Sequence, residues 1–321
     1  MNRARHDLLL TLTQGGWHQQ SPVTLIGAAV MDMVVSAEAL PQRGGDVAAQ
    51  LQGFHLGGCA LNIAVALKQL GIASRNLLPL GEGIWADRLR AEMAQRGVRS
   101  DLAVGGEDNG WCMALVEPDG ERTFISIDGI ENRWQTAWLQ DAAPDGGLVY
   151  LSGYQLGSAC GAVLLQWMQQ LPATVRVVLD IGPRIDVMPD DLLQCLIRPG
   201  VLLTLNQREA QLLGMGEDIE GFCRQLWQRT GQWVVVRFGG QGGYYYAEPG
   251  ECGWVAARAV TVVDSIGAGD SHTAGLLAGL ALGLTPQQTM LLANSIAGYV
   301  VSRPGGDCAP TLVQLLASEV G

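Results

Sequence analysis

Residues 262–283 read VVDSIGAGDSHTAGLLAGLALG. A β-branched run leads into Gly267, Ala268, Gly269 and Asp270, and a long apolar stretch of helical composition follows. The glycines account for a tight turn, since they accept backbone conformations that other residues avoid. The carboxylate needs its own account. A glycine-rich turn that opens a helix aims several backbone N–H groups, and the positive end of the helix dipole, at one point. An anion, or the oxygens of a transferring phosphoryl group, can sit there. Asp270 falls in the first helical turn, where a carboxylate also serves as a cap, so the stretch alone fits a capped helix and an anion site equally well. No lysine follows the glycines, so the GxxxxGK[ST] phosphate loop is absent. No glycine cluster spells GxGxxG, which argues against a nicotinamide-dependent oxidoreductase. An anion-binding turn with an acid suggests a division of labour: backbone holds phosphoryl oxygens, and the carboxylate takes a proton from an attacking hydroxyl.

Upstream, the pattern becomes regular from residue 147: GLVYLSG, RVVLDIG, VLLTLN and QWVVVRFGG alternate with helical segments. Short apolar strands separated by helices predict an α/β fold with a mostly parallel central sheet covered on both faces. Ligands in such sheets bind beyond the carboxyl ends of the strands. That rule selects Asp32, Gly57, Gly58, Gly153, Asp180, Asn206, Gly239 and the 267–270 turn. Nearer the N-terminus, VTLIGAAV (23–30) reads as one buried strand, GGCALNIAVALKQLG (57–71) as a helix after paired glycines, and IWADRLRAEMAQRG (84–97) as an amphipathic helix. Residues 32–56 read as extended and turn-rich, and 110–128 as a hairpin about Pro118-Asp119-Gly120. Together these two segments predict a small strand-built lid on the main sheet.

Composition removes several classes. The 321-residue chain has 31 acidic against 20 basic residues, a formal net charge of −11, whereas a nucleic-acid binder needs a basic face. Seven cysteines stand singly, with no CxxC pair, a pattern of reduced thiols in a cytoplasmic protein rather than of disulfides or zinc. His6, His18, His55 and His272 lack metal-ligand spacing. The opening MNRARHDLLLTLTQGGWHQQ has too short an apolar stretch to cross a membrane and no small-residue cleavage site. Residues 1–22 are therefore expected to form a helical leader before one domain over 23–321, with no membrane partner.

DSIGAGD (264–270) resembles the D-T-x-G-A-G-D signature of the ribokinase, or pfkB-type, family of carbohydrate and nucleoside kinases, with Ser265 in place of threonine. Four more motifs fall in family order: GAAVMD (27–32), GGCALNIA (57–64), NQRE (206–209) and FGGQGG (238–243). The resemblance spans about residues 22–318 and implies a ribokinase-like three-layer sandwich with a β-strand lid. It implies an ATP-dependent kinase acting on a hydroxymethyl group of a sugar or sugar-like molecule. Asp270 would be the base, and the Gly267, Ala268 and Gly269 amides the phosphoryl cradle. Asp32, Gly57, Gly58 and Asn62 would bind the acceptor. Asn206, Glu209, Gly239, Gly242 and Asn294 would serve the nucleotide, with Glu209 reaching Mg²⁺ through water. Asp264 and the 303–308 loop would form a monovalent-cation (K⁺) site, and lids would pair in a homodimer.

The residues themselves leave alternatives open. Asn206 with Glu209 is also a capping box in form; Asn294 could make an interhelical hydrogen bond; Asp32 could belong to a strand-end turn. DIGPR (180–184) partly resembles the D-x-N-x-R stretch of fructokinase-like and ketodeoxygluconate kinase-like members, but Gly182 replaces the asparagine, so only Asp180 and Arg184 carry over. His272, two residues past Asp270, lies on another helix face and reads as a packing residue, or one supporting the site from behind, rather than as a catalyst. A nucleoside kinase is the alternative within the family, with Phe54, Trp111, Phe124 or Trp134 against a base. From another class, an inactive nucleotide- or sugar-binding regulator is the competitor.

Overall fold

The computed structural model describes residues 2–102, 104–118, 121–306 and 308–319. Residues 119 and 120, the tip of the expected hairpin, lie outside them. The first strand, β1 (Val23–Ile26), is followed by β2 (Val30–Ala37), β3 (Ala49–Gly57) and β4 (Ser74–Leu77). Next come β5 (Trp111–Val116), β6 (Arg122–Ile127), β7 (Gly147–Ser152), β8 (Val175–Asp180), β9 (Val201–Asn206) and β10 (Val234–Arg237). A closing pair, β11 (Gly243–Glu248) and β12 (Glu251–Val255), completes the set.

Eight strands make the main sheet in the order β12-β11-β10-β9-β8-β7-β1-β4. It is parallel from β10 through β4, and β11 and β12 add an antiparallel edge. The parallel strands are buried on both faces because successive side chains enter different cores. Leu148 and Tyr150 of β7 belong to one apolar cluster, Val149 and Leu151 to the other. This is the expected three-layer α/β architecture. The antiparallel edge was not foreseen, because 243–255 mixes three tyrosines with glycines and carries no helix to suggest a crossover.

The expected single strand over 23–30 is two strands in two sheets. β1 ends at Ile26, and Val30 already begins β2. Gly27 makes the break: a Cβ there would lie 2.6 Å from the Ala60 Cβ, so the chain grazes the helix Cys59–Gln69. Asp32 is therefore a residue of β2. The second sheet, in the order β3-β2-β5-β6, is the lid foreseen from 32–56 and 110–128. Its crossing is unusual for a small sheet, since β2 and β5 run parallel.

The β-branched run before the glycine turn is no strand. Val262 and Val263 are 65% and 60% exposed. After it, the helix Ala268–Ala281 packs so closely on Pro286–Val301 that a Cβ on Gly275 would lie 2.5 Å from the Ala293 Cα. The N-terminal helix Asn2–Thr13 docks on the body through Leu8, Leu9 and Leu12. Among the described residues no helix is long and apolar enough to cross a membrane.

Candidate active site

The carboxyl ends of the parallel strands face two cavities that share one wall. The wall is the turn 267–270. Gly267 and Asp270 line a cavity of about 330 Å³ beneath the lid. Ala268 and Gly269 line the other, of about 490 Å³. Gly267 holds φ +71°, and a Cβ on it would lie 2.6 Å from the Gly306 carbonyl oxygen, so both conformation and space require glycine.

Asp270 does not cap its helix. Gly267 is the N-cap and no side chain bonds the free amides there. The Asp270 carboxylate instead accepts from Asn62 Nδ2 at 2.8 Å. Asn62 lies one turn into Cys59–Gln69, the helix opened by Gly58 at φ +95°. Burial raises the Asp270 carboxyl above the usual carboxylate range; the Asn62 bond opposes this and Asp180 adds to it.

Asp32 and Asn62 also line the lid cavity, with Gly58. Burial, and then the nearby Asp270, push the Asp32 carboxyl up to about 6. Gly57 lines neither cavity, yet it makes Asp32 possible: a Cβ on Gly57 would lie 2.4–2.6 Å from that carboxylate. The lid contributes Trp111 and Phe124 to the same cavity, whereas Trp134 is buried in a core cluster and Phe54 packs on Trp85.

On the other side of the wall, Asn206, Gly239, Gly242 and Asn294 line the larger cavity. Gly242, at φ +107°, would place a Cβ 2.1 Å from the Val255 carbonyl oxygen. Asn294 Nδ2 donates to the Val255 and Ala256 carbonyls at 2.9 and 3.2 Å, so it ties the end of β12 to its helix rather than bridging two helices. Asn206 and Glu209 form the capping box: the Glu209 N–H donates to Asn206 Oδ1, and the Asn206 N–H to Glu209 Oε2, each at 2.8 Å. Glu209 is buried behind Asn206, outside the cavity lining, and burial pushes its carboxyl up. Asp264 lines neither cavity. It accepts from the Ile266 N–H at 2.9 Å and the Gly305 N–H at 3.0 Å, holding Gly305 close behind the turn.

Sequence reasoning missed Arg237, the last residue of β10. Its Nη1 donates to Asp180 Oδ2 at 2.9 Å and to the Gly269 carbonyl at 3.3 Å. Nη2 reaches Asp180 Oδ1 at 3.3 Å and stands 3.9 Å from Glu209 Oε2. Burial opposes its charge, and Asp180 outweighs burial. One guanidinium thus joins Asp180, Glu209 and the mouth of the Ala268 helix. The available signal was a cation at the end of a buried strand, one residue before FGGQGG. Glu131 was missed as well: it accepts from the Gly110 N–H at 2.7 Å and the Gly129 N–H at 2.9 Å, where the lid hairpin joins the body. Arg184 does face the lid cavity, its guanidinium 5.3 Å from the Tyr154 ring centre.

These features define a phosphotransferase of the ribokinase fold. Residues 20–312 match the pfkB family carbohydrate kinase profile, and the chain belongs to that family of sugar kinases. It is 45% identical to the uncharacterized sugar kinase YegV of Escherichia coli strain K12, over 99% of each chain. It is 26% identical to 1-phosphofructokinase of the same strain, over 78% of this chain and 81% of the relative. Similar solved structures include a ribokinase from Thermotoga maritima, with TM-score 0.76, 18% identity and 94% and 99% of the two chains covered. A fructokinase with bound ATP from Xylella fastidiosa has TM-score 0.75 at 22% identity, covering 95% and 100%. A Burkholderia thailandensis nucleoside kinase in complex with inosine has TM-score 0.72 at 20% identity, covering 92% and 95%. Family membership implies ATP and Mg²⁺.

Proposed function

We propose that the protein moves the terminal phosphoryl group of ATP onto a hydroxymethyl group of a sugar or sugar-like acceptor, with Asp270 as general base. One observation carries this reading: a single glycine turn walls both cavities, with the carboxylate on the lid side. An acceptor under the lid and a nucleotide in the larger cavity would meet across that turn.

Asp32, Gly58 and Asn62 hold the acceptor, and Asp32 accepts hydrogen bonds from its hydroxyls. Asp270 takes the proton of the attacking hydroxyl, and its raised affinity for protons suits that task. The amides of Gly267, Ala268 and Gly269 meet the charge that develops on the phosphoryl oxygens. ATP with Mg²⁺ supplies the phosphoryl group and neutralises part of that charge. The residues fit this group: the larger cavity carries the open backbone of Gly239 and Gly240 and an unsatisfied buried imidazole at His272. Among the described residues no cluster of three or more acidic, His or Cys side chains could hold a metal by itself. Magnesium keeps most of its waters, so Glu209, engaged with Asn206, would reach it through one of them. Asp264, bonded to the Ile266 and Gly305 amides, marks where K⁺ would act.

The lid excludes water that would otherwise take the phosphoryl group. Its exposed Leu51, Phe124, Ile125 and Ile127 supply the apolar surface that lid-to-lid pairing in a homodimer would cover. Trp111 and Phe124 in the cavity favour a second acceptor class, a nucleoside, because aromatic faces stack on flat bases. ADP release measured across pentoses, hexoses, sugar acids and nucleosides tests the reading. Acceptor-dependent release supports it, and none with any acceptor supports the inactive regulator.

A further inference from the structure

His272 lines the larger cavity and is 4% exposed, yet neither ring nitrogen has a hydrogen-bond partner. Asn294 stands beside it and its side chain raises the imidazole pKa, but no hydrogen bond of ordinary distance and angle joins the two; Asn294 Nδ2 donates to the Val255 and Ala256 carbonyls. A native interior seldom leaves such a group unsatisfied, because each unmet polar atom costs stability. Where one persists beside a cavity, a ligand is the natural partner.

The chemistry of the ring narrows the ligand. Burial, with Arg237 adding to it, pushes the imidazole pKa down to about 3, so the ring is uncharged at neutral pH and offers one donor and one acceptor. Uncharged, it adds little to phosphate binding, which the glycine turn already serves. The surrounding wall, with Val260, Ala297 and Val301, is apolar and suits a flat heterocycle.

We propose that His272 is a nucleotide-specificity residue, its imidazole hydrogen-bonding the base–ribose part of the bound nucleotide beside Asn294. This rests on the reading of the larger cavity as the nucleotide site. A ring tucked behind the glycine turn lets the protein distinguish a nucleotide from a bare polyphosphate, which fills the cradle but not the wall.

Calorimetric titration of the full chain with Mg-ADP and, separately, with magnesium tripolyphosphate tests this. His272→Phe keeps the ring volume and removes both nitrogens; His272→Leu serves where phenylalanine perturbs folding. Either variant should bind ADP about tenfold more weakly, the worth of one or two hydrogen bonds, and tripolyphosphate as well as wild type. His272→Gln should recover part of the loss. The melting temperature of the ligand-free variant should hold or rise by about 2–4 °C, since an unsatisfied polar group has been removed. Unchanged ADP affinity with a lowered melting temperature marks His272 as a packing residue and overturns the proposal. Equal losses for ADP and tripolyphosphate overturn it too, by placing the effect in the cradle. Wild-type protein that binds no ADP overturns both this inference and the nucleotide reading beneath it.

Discussion

Asn62 Nδ2 donates to Asp270 Oδ2 at 2.8 Å, joining two helices that start 209 residues apart, at Cys59 and Ala268. The bond fixes the rotamer of Asp270, the proposed base, from the lid side, and it favours the ionised carboxylate that burial disfavours. Asn62→Leu should therefore lower kcat about 10²-fold, the range in which a misplaced base costs rate. ADP affinity should stay within about twofold of wild type. Steady-state kinetics with the best acceptor, together with ADP titration, measure the two quantities.

Asp32 gives the pH dependence. Its carboxyl titrates at about 6 in the folded protein, against about 4 in an unfolded chain. In the role proposed for Asp32 the ionised form accepts from the acceptor's hydroxyls, so kcat/KM for the acceptor should fall as pH drops through 6. For stability the sign reverses. The folded state holds the proton more tightly, so this group stabilises the fold at low pH and loses that contribution as pH rises from about 4 to 6. Relative to wild type, Asp32→Asn should gain stability at pH 7.5, by at most about 3 kcal/mol. Chemical denaturation at pH 4 and pH 7.5 checks the difference.

Arg237 is the partly buried cation between Asp180 and Glu209. Arg237→Met leaves Asp180, 9% exposed, without its charge partner, and should cost about 3–5 kcal/mol. Asp180→Asn combined with Arg237→Met should recover part of that loss. Thermal denaturation of the single and double variants separates an uncompensated charge from a packing defect.

Glu131 fastens both roots of the lid hairpin through the Gly110 and Gly129 amides. Glu131→Ala should loosen the lid and admit water. The ratio of acceptor-independent ATP hydrolysis to acceptor phosphorylation should rise at least severalfold, as ADP release with and without acceptor would record.

Much of this was legible in the sequence where local pattern and tertiary demand agree. The strands β7 to β10 are short apolar runs because both faces are buried, and the helices between them leave a parallel sheet as the natural arrangement. The glycine turn at the mouth of the Ala268 helix was legible because the glycines precede a long apolar helical run. The break between β1 and β2 was not, since GAAV continues an apolar run and only the close approach of Gly27 to Ala60 ends it. Nor could spacing reveal that Gly57 is small for the sake of the Asp32 carboxylate. The capping and functional readings of Asp270 were equivalent in sequence, and they part only when Asn62 arrives from another helix. Arg237 escaped notice because its partners, Asp180, Glu209 and Gly269, lie on three other segments.

Asp270 is proposed as the base at the turn that divides the two cavities. The direct test is Asp270→Asn, with ADP release in the presence of the best acceptor and ADP binding by calorimetry. Asparagine keeps the shape of the side chain but cannot accept the proton. Turnover in this variant should fall at least about 10²-fold, with ADP affinity within about twofold of wild type. Near-normal turnover in Asp270→Asn would contradict it.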